Sequence, residues 1–478
     1  MSEGTAQSEG IKLELLRPYK GGEELRRAAA ALGGSANTKE LQVLEQLQEG
    51  QLPAVHPTPV QVPEGADHHV RELAFAAQRY AKAAQRDTAD FDAVYNHGLA
   101  LQELATRLGA APSDQLRLLN QACQRYEAAW RLRESSHAAL YNWGVALSDI
   151  ARVVKAGHLT ESSPGGGPAQ AHAFLLQAAE KYALSLRWNP NNPQALNNWG
   201  LVLQELSTMR PPAERQHLVN QSVAKFRRAI RLRPEFDRAC YNLGTVFYAH
   251  ACVLQNDAMQ HLSSQLTQDP QDESREQTEE HAYRQTFALA SQYICVSFAL
   301  QPTKTVYRRS LGAVQAHLPL PFLRAGPLMT CATETAGTCH ERWERRWFVL
   351  DQTSFRASSA PAETSGQAES ASQQAEAEQT VDLADIAAVK VCMDPSLPKG
   401  FAFWLGLLSQ PHGLYFLADT SGEAEGWVDA LHMVAFIASQ KQLASLGQAL
   451  VLVTDLPSQK RPSAGYQNGR KPGPGSKS

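Results

Sequence analysis

The chain has 478 residues, room for two to four domains, and 45 Lys and Arg against 48 Asp and Glu leave a formal charge of −3, which excludes any global attraction to nucleic acid. Its seven cysteines are an odd number without CxxC spacing, so neither a disulfide framework nor a zinc site is expected, and reduced thiols in an intracellular protein are. No apolar run approaches the ~20 residues of a bilayer span, and the first ten residues lack the charged-then-apolar pattern of a signal peptide.

Residues 1–66 are mixed in character. Segments 23–31 and 38–48 have the composition of short helices, but Gly33-Gly34 separates them and Pro53, Pro57, Pro59 and Pro63 follow. A flexible N-terminal arm is expected there.

Residues 67–318 carry an internal repeat. Tyr95-Asn-His-Gly98, Tyr141-Asn-Trp-Gly144, Asn197-Asn-Trp-Gly200 and Tyr241-Asn-Leu-Gly244 are copies of one motif, and a weaker fifth ends at Gly312. Each glycine follows by 18 positions a ring or apolar residue, in turn Tyr80, Tyr126, Tyr182, Phe226 and Ile294. Small residues sit four before it (Ala76, Ala122, Ala178, Ser222, Ala290) and three after it (Ala83, Ala129, Ser185, Ala229, Ser297), forming one stripe on a helix. Such a stripe lets a second helix approach closely, and fixed self-similarity implies units that bury each other's apolar faces. Pro190, Pro234 and Pro302 close three of the segments.

Small, aromatic, small, proline and then an apolar-Gly pair resembles the tetratricopeptide repeat. Its usual period is about 34 residues, whereas these glycines lie 46, 56, 44 and 68 positions apart (98 to 144 to 200 to 244 to 312). The extra length falls after each glycine, so a lengthened first helix or an inserted turn is expected. Residues 155–170 and 256–280 read as insertion loops. Asn96, Asn142, Asn198 and Asn242 share one position of the first helices. Two readings stand for them: binding the backbone of an extended peptide partner, or bonding to a neighbouring turn. The family's chaperone-binding members hold a peptide carboxylate in a Lys and Asn clamp. Here those positions hold Tyr95 and Leu99, Tyr141 and Val145, or Tyr241 and Thr245, and the later ones hold Gln194 and Asn198. The co-chaperone alternative is therefore disfavoured. Six cations between Lys225 and Arg238 read as a solvated face or as a surface for an acidic partner or anionic membrane.

After residue 318 the pattern changes. Strands are expected at 323–332, 346–350, 381–391, 401–408 and 414–418, then one amphipathic helix at 423–439 holding Trp427, Val428, Leu431 and Val434. With Gly326-Pro-Leu-Met, Trp343-Glu-Arg-Arg-Trp-Phe-Val-Leu350 and Glu425-Gly-Trp-Val-Asp-Ala-Leu431, residues 319–440 resemble a pleckstrin-homology domain, an α+β barrel, with Trp427 as a core plug. Residues 357–379, without a cation, are expected as a disordered insertion, and 441–478 as a basic disordered tail. Phosphoinositide-binding members carry basic residues where this chain has Thr330 and Glu344. Arg342, Arg345 and Arg346 remain as the lipid or anion candidates, and weak, charge-driven contact is expected.

The expected architecture is mainly α: a tetratricopeptide-like solenoid with lengthened helices, then the smaller barrel. The joint order resembles a green-lineage family named for hypersensitivity to latrunculin B. That resemblance implies an adaptor peripheral on trans-Golgi network and early endosome membranes, with protein partners on the solenoid and a link to actin or actin-linked trafficking machinery. A signalling adaptor whose small domain binds protein is the other alternative. No phosphate-cradling glycine loop, HExxH, GxSxG or Cys/His set at a working spacing is present, so no enzyme, cofactor or metal is expected. Cys339-His340 has no second pair to complete a metal site.

Overall fold

A computed structural model describes residues 65, 67–107, 111–158, 166–264, 270–331, 343–358, 379–394, 397–410 and 412–454. The expected N-terminal arm, except for Gly65, lies outside them, as do 359–378 of the expected insertion and 455–478 of the expected tail. The described chain divides into two compact units at Val246 and Phe247.

The first unit holds α1 (His68–Arg86), α2 (Phe91–Arg107), α3 (Pro112–Leu132), α4 (His137–His158), α5 (Gly166–Trp188), α6 (Pro193–Thr208), α7 (Pro212–Leu232) and the first part of α8 (Asp237–Ser264). From α1 to α7 consecutive helices pack against one another in sequence order, as a repeat array must. The glycines explain the pairing. A Cβ at Gly98 would lie 2.8 Å from Tyr126 Cε1, one at Gly144 2.8 Å from Tyr182 Cε1, and one at Gly200 2.8 Å from Phe226 Cε1. Those three rings are buried to within 1%, so the ring of each second helix fills the space that glycine leaves on the first.

Lengthening is shared by both helices of a pair: α4 has 22 residues and α5 has 23, and the 28 residues of α8 precede the 31 of α9 (Pro270–Leu300). The two expected insertion loops are thus mostly helix. Residues 155–158 and 166–170 finish α4 and begin α5, while 256–264 and 270–280 belong to α8 and α9. Polar composition misread them, because a helix end with little buried surface carries no apolar period.

The second unit joins the rest of α8, α9 and α10 (Thr305–His317) to a sheet and two further helices. Its strands are β1 (Arg324–Cys331), β2 (Trp343–Leu350), β3 (Ser354–Ser358), β4 (Thr380–Asp382), β5 (Ile386–Val391), β6 (Phe401–Leu407) and β7 (Leu414–Ala418). All pairings are antiparallel, in the order β4-β3-β2-β1-β7-β6-β5. The expected single strand over 381–391 is broken where the Asp382 carboxylate accepts from the Ala384 N–H at 2.8 Å, a turn that starts a short 3-10 segment. Short β3 replaces the start of the expected insertion. Helix α11 (Ser421–Ser439) closes the sheet. Trp427 is 2% exposed, with Phe355 5.6 Å away between ring centroids, and Phe348, Phe355, Phe403 and Phe416 form a buried aromatic cluster.

The expected disorder from 441 onward is corrected for its first part. Lys441 adopts φ +57°, its N–H donates to Ala438 O and that of Gln442 to Ile437 O, which closes α11 with a left-handed cap. The chain then forms α12 (Leu443–Thr454), burying Leu446, Ala449, Leu450 and Val453 against α9 and α10. Helix α9 also meets α11 through buried polar groups. The Tyr293 hydroxyl donates to Asp429 at 2.6 Å, and Gln292 links the Gly426 carbonyl to the Arg324 guanidinium. Arg324 also reaches the Glu423 carbonyl and lies over the Trp427 ring. A Cβ at Gly426 would sit 2.5 Å from that guanidinium.

Two consequences follow for stability. Gly144→Ala and Gly200→Ala should each lower unfolding stability by about 1–3 kcal/mol through overpacking, while Gly312→Ala, where nothing lies within 4 Å of the added carbon, should not; equal losses at all three in denaturant titrations would refute this packing. Tyr293→Phe leaves Asp429 one buried donor short and should destabilise the second unit by about 1–3 kcal/mol, read as loss of amide-exchange protection in α9 and α11 together.

Candidate functional site

Because each glycine sits against a ring, the residues just before them are also brought together. Trp143 precedes Gly144 and Lys181 precedes Tyr182, and the Lys181 ammonium lies 4.4 Å from the Trp143 ring centroid. In the next repeat Lys225 lies 3.9 Å from that of Trp199. In the first, His97 and Arg125 take the same two positions. Burial and then the Arg125 charge push the His97 pKa down to about 4, and burial lowers that of Lys225. These rungs of cation against aromatic or imidazole lie between the helices of each pair, worth roughly 0.5–2 kcal/mol apiece where desolvated. Lys225 thus leaves the basic run for a rung, and most of its other members are engaged elsewhere. Arg228 donates to the Pro190 carbonyl, Arg227 is buried, Arg233 pairs with Glu235, and Arg233 and Arg238 flank the Phe236 ring.

The repeated asparagines form a second ladder, between successive first helices. Asn142 Nδ2 donates to the Tyr95 hydroxyl at 2.7 Å, Asn198 Nδ2 to the Tyr141 hydroxyl at 3.2 Å, and Asn242 Nδ2 to Asn197 Oδ1 at 2.9 Å. Asn96 occupies the same position on α2, half-buried, with no first helix before it among the described residues. The side chains are half-buried, so the ladder runs along a face that also shows Leu99, Val145 and Thr245 partly and Leu201 openly. Sequence reasoning named the asparagines and missed their partners, which stand one position earlier in the preceding repeat.

On the barrel, Arg345 and Arg346 lie on β2 and Arg342 falls outside the described residues. Both cations are engaged. Arg345 makes a two-pronged pair with Asp419 at 3.1 and 2.5 Å, and Arg346 reaches Glu344 at 2.8 Å. Thr330, opposite Glu344 in the β1–β2 register, is 2% exposed. An incoming phosphate would have to displace a carboxylate at each arginine, so this patch concentrates little positive potential. Among the described residues no cluster of three or more His, Cys, Asp or Glu is placed to hold a metal ion, and no helix is long and apolar enough to cross a membrane.

An array of paired helices stacked through glycine and ring, followed by an antiparallel sheet closed by a Trp-bearing helix, is a tetratricopeptide-like helical array with a C-terminal PH-like domain. The family model described as the plant specific mitochondrial import receptor subunit TOM20 matches residues 173–327, and that of the PH domain matches 324–436. No curated protein matches the chain. Solved structures similar to it include MamA (16% identity, covering 38% of this chain and 80% of that one, TM-score 0.27). A TPR repeats protein from Bacteroides fragilis is 13% identical (52% and 93% covered, TM-score 0.26). YrrB, a TPR protein with an unusual peptide-binding site, is 14% identical (49% and 98% covered, TM-score 0.19).

The rung at His97 makes a pH prediction. Its folded pKa lies below the ordinary value near 6.5, so the unfolded chain binds the proton first. Stability from this group is complete above pH ~6.5 and falls as pH drops toward 4, by on the order of 3 kcal/mol. His97→Gln should flatten that part of the stability curve, and an imidazole that titrates near 6.5 in the folded protein by NMR would refute the burial argument.

Proposed function

We propose that the chain is a non-catalytic adaptor that holds protein partners on its repeat array while associating peripherally with trans-Golgi network and early endosome membranes, in vesicle traffic linked to actin. The observation that carries the reading is the joining of two interaction modules, helical repeats and a PH domain, in one chain. The perturbed groups support the non-catalytic part. Burial pushes the Cys123 thiol up and that of Cys295 to about 12, and it raises the Tyr126 and Tyr182 hydroxyls. Each shift favours the neutral form, which is the behaviour of packed side chains rather than of activated nucleophiles.

The partner surface in this reading is the ladder face, where Asn96, Asn142, Asn198 and Asn242 meet the backbone of an extended segment and Leu99, Val145 and Leu201 take its apolar side chains. The absent Lys and Asn clamp argues against an acidic chaperone tail. Arg345 and Arg346, held by carboxylates, supply at most weak anionic-lipid contact. The membrane identity and the actin link come from the resemblance of the joint domain order.

A second reading has its own support, since the family model matching residues 173–327 is that of a mitochondrial import receptor subunit. It places the adaptor at mitochondria. A full-length fluorescent fusion imaged with trans-Golgi, endosomal and mitochondrial markers separates the two. Puncta overlapping the first two markers, with actin-linked traffic proteins recovered by crosslinking, are expected; mitochondrial labelling would overturn the endomembrane reading.

A further inference from the structure

The β5–β6 hairpin has one face turned to the barrel core, where Phe403 and Leu405 are fully buried. Side chains alternate along a strand, so Phe401 belongs to that same face. Val391 stands opposite Phe403 in the register, and the Cys392 N–H donating to Ala402 O at 2.9 Å continues the ladder, setting Met393 opposite Phe401. The core-facing stripe therefore runs on past the core. Its last three members reach solvent, two of them about half exposed and the third almost fully: Val391 is 52% exposed, Phe401 46% and Met393 94%. Exposed Lys390 and Lys399 flank them, Lys390 beside the Trp404 ring. Asp394, the acid next to Met393, is already engaged within the chain.

We propose that this hairpin tip enters the headgroup–acyl boundary of an anionic bilayer, with Val391, Met393 and Phe401 in the apolar layer and Lys390 and Lys399 among the anionic headgroups. The inference rests on the peripheral-membrane reading above and gives it a place and a chemistry. Three side chains at one end of a strand pair cover far less than the ~800 Å² per partner of a stable protein interface, whereas a bilayer accepts apolar side chains without a complementary shape. Lysines at the rim keep their charge at the headgroups while their stems follow the apolar surface. Recognition is thus by apolar insertion and negative charge, not by inositide identity, in keeping with an Arg345 and Arg346 already paired to carboxylates.

The test uses the full chain and vesicles of phosphatidylcholine, alone or with about 30% phosphatidylserine. The parent should float with the anionic vesicles and much less with the neutral ones. The triple variant Val391→Ser, Met393→Ser, Phe401→Ser should bind anionic vesicles about tenfold more weakly, and Met393→Ser alone, at 94% exposure, should weaken binding with its melting curve unchanged. Lys390→Glu with Lys399→Glu should remove the preference for phosphatidylserine. Met393→Trp should gain a blue-shifted emission, relative to parent, that brominated acyl chains quench. Undiminished flotation of the triple variant, or failure of brominated chains to quench the emission gained by the Met393→Trp variant, overturns the tip as the contact while leaving the membrane reading standing. No flotation of the parent on either vesicle overturns both.

Discussion

The contact of a helix glycine with the ring of the following helix is the constraint on which the first unit depends. A ring within 3 Å of the place a Cβ would occupy leaves no alternative side chain on the first helix and little freedom to slide the second. It fixes depth and register together. The neighbouring positions follow from it: the small residues around each ring, the proline turns that return the chain, and the pairing of the residues just before glycine and ring. The rungs of Lys181 on Trp143 and Lys225 on Trp199 are consequences of that register.

Within this frame two kinds of polar contact divide the labour. The rungs act inside a helix pair, where the charge is buried at Lys181 and half-buried at Lys225 and the aromatic face replaces some lost hydration. The Tyr and Asn ladder acts between pairs, where one amide per repeat sets the rotation of each first helix against the last. A ladder of this kind leaves acceptor capacity on the asparagines, because Asn142 and Asn242 enter it through their Nδ2 donors. A face that is held rigid and still offers amide oxygens suits an extended backbone.

The repeat was legible because sterics dictate residue types at fixed spacing, and spacing survives in a sequence whatever the helices' lengths. The barrel was legible from Trp343, Trp347 and Trp427 for the same reason. What the sequence hid was decided by long-range contact. Helix α12 has a clear stripe in Leu446, Ala449, Leu450 and Val453, but it follows a cap made by Lys441 rather than glycine and borders a Pro- and Gly-rich basic segment that dominates the composition. The partition of α9 and α10 was equally out of reach. Their repeat register assigns them to the array, while Gln292, Tyr293, Arg324 and Asp429, scattered over more than a hundred positions, join them to the barrel helix. Of the two arginine pairs, Arg346 with Glu344 was readable as neighbours on one face of a strand, and Arg345 with Asp419, 74 positions apart, was not.

The second unit thus bears on how the helical repeats and the PH-like domain work together. If barrel and repeats were independent, membrane attachment and partner capture would be linked only by tether length. Here the last repeat helices share buried hydrogen bonds with the helix that closes the barrel, and α12 packs on both α9 and α10. A cut at 318/319 separates groups that are buried only together, so the smallest piece that keeps the packing of the sheet and its closing helix includes α9 and α10. Charge follows the same division. Several cations of the array are taken up by rings, carbonyls and carboxylates, and Arg345 and Arg346 of β2 by carboxylates, so neither set concentrates much positive potential. Under the proposed function, what remains for a bilayer is the apolar overrun of one hairpin with two lysines beside it, and a protein partner on the repeats would supply a second attachment. Two weak linked contacts can exceed either affinity by about 10² to 10⁴ when geometry permits both at once, and the buried joint between repeat helices and barrel is what holds the hairpin in a fixed place within the second unit.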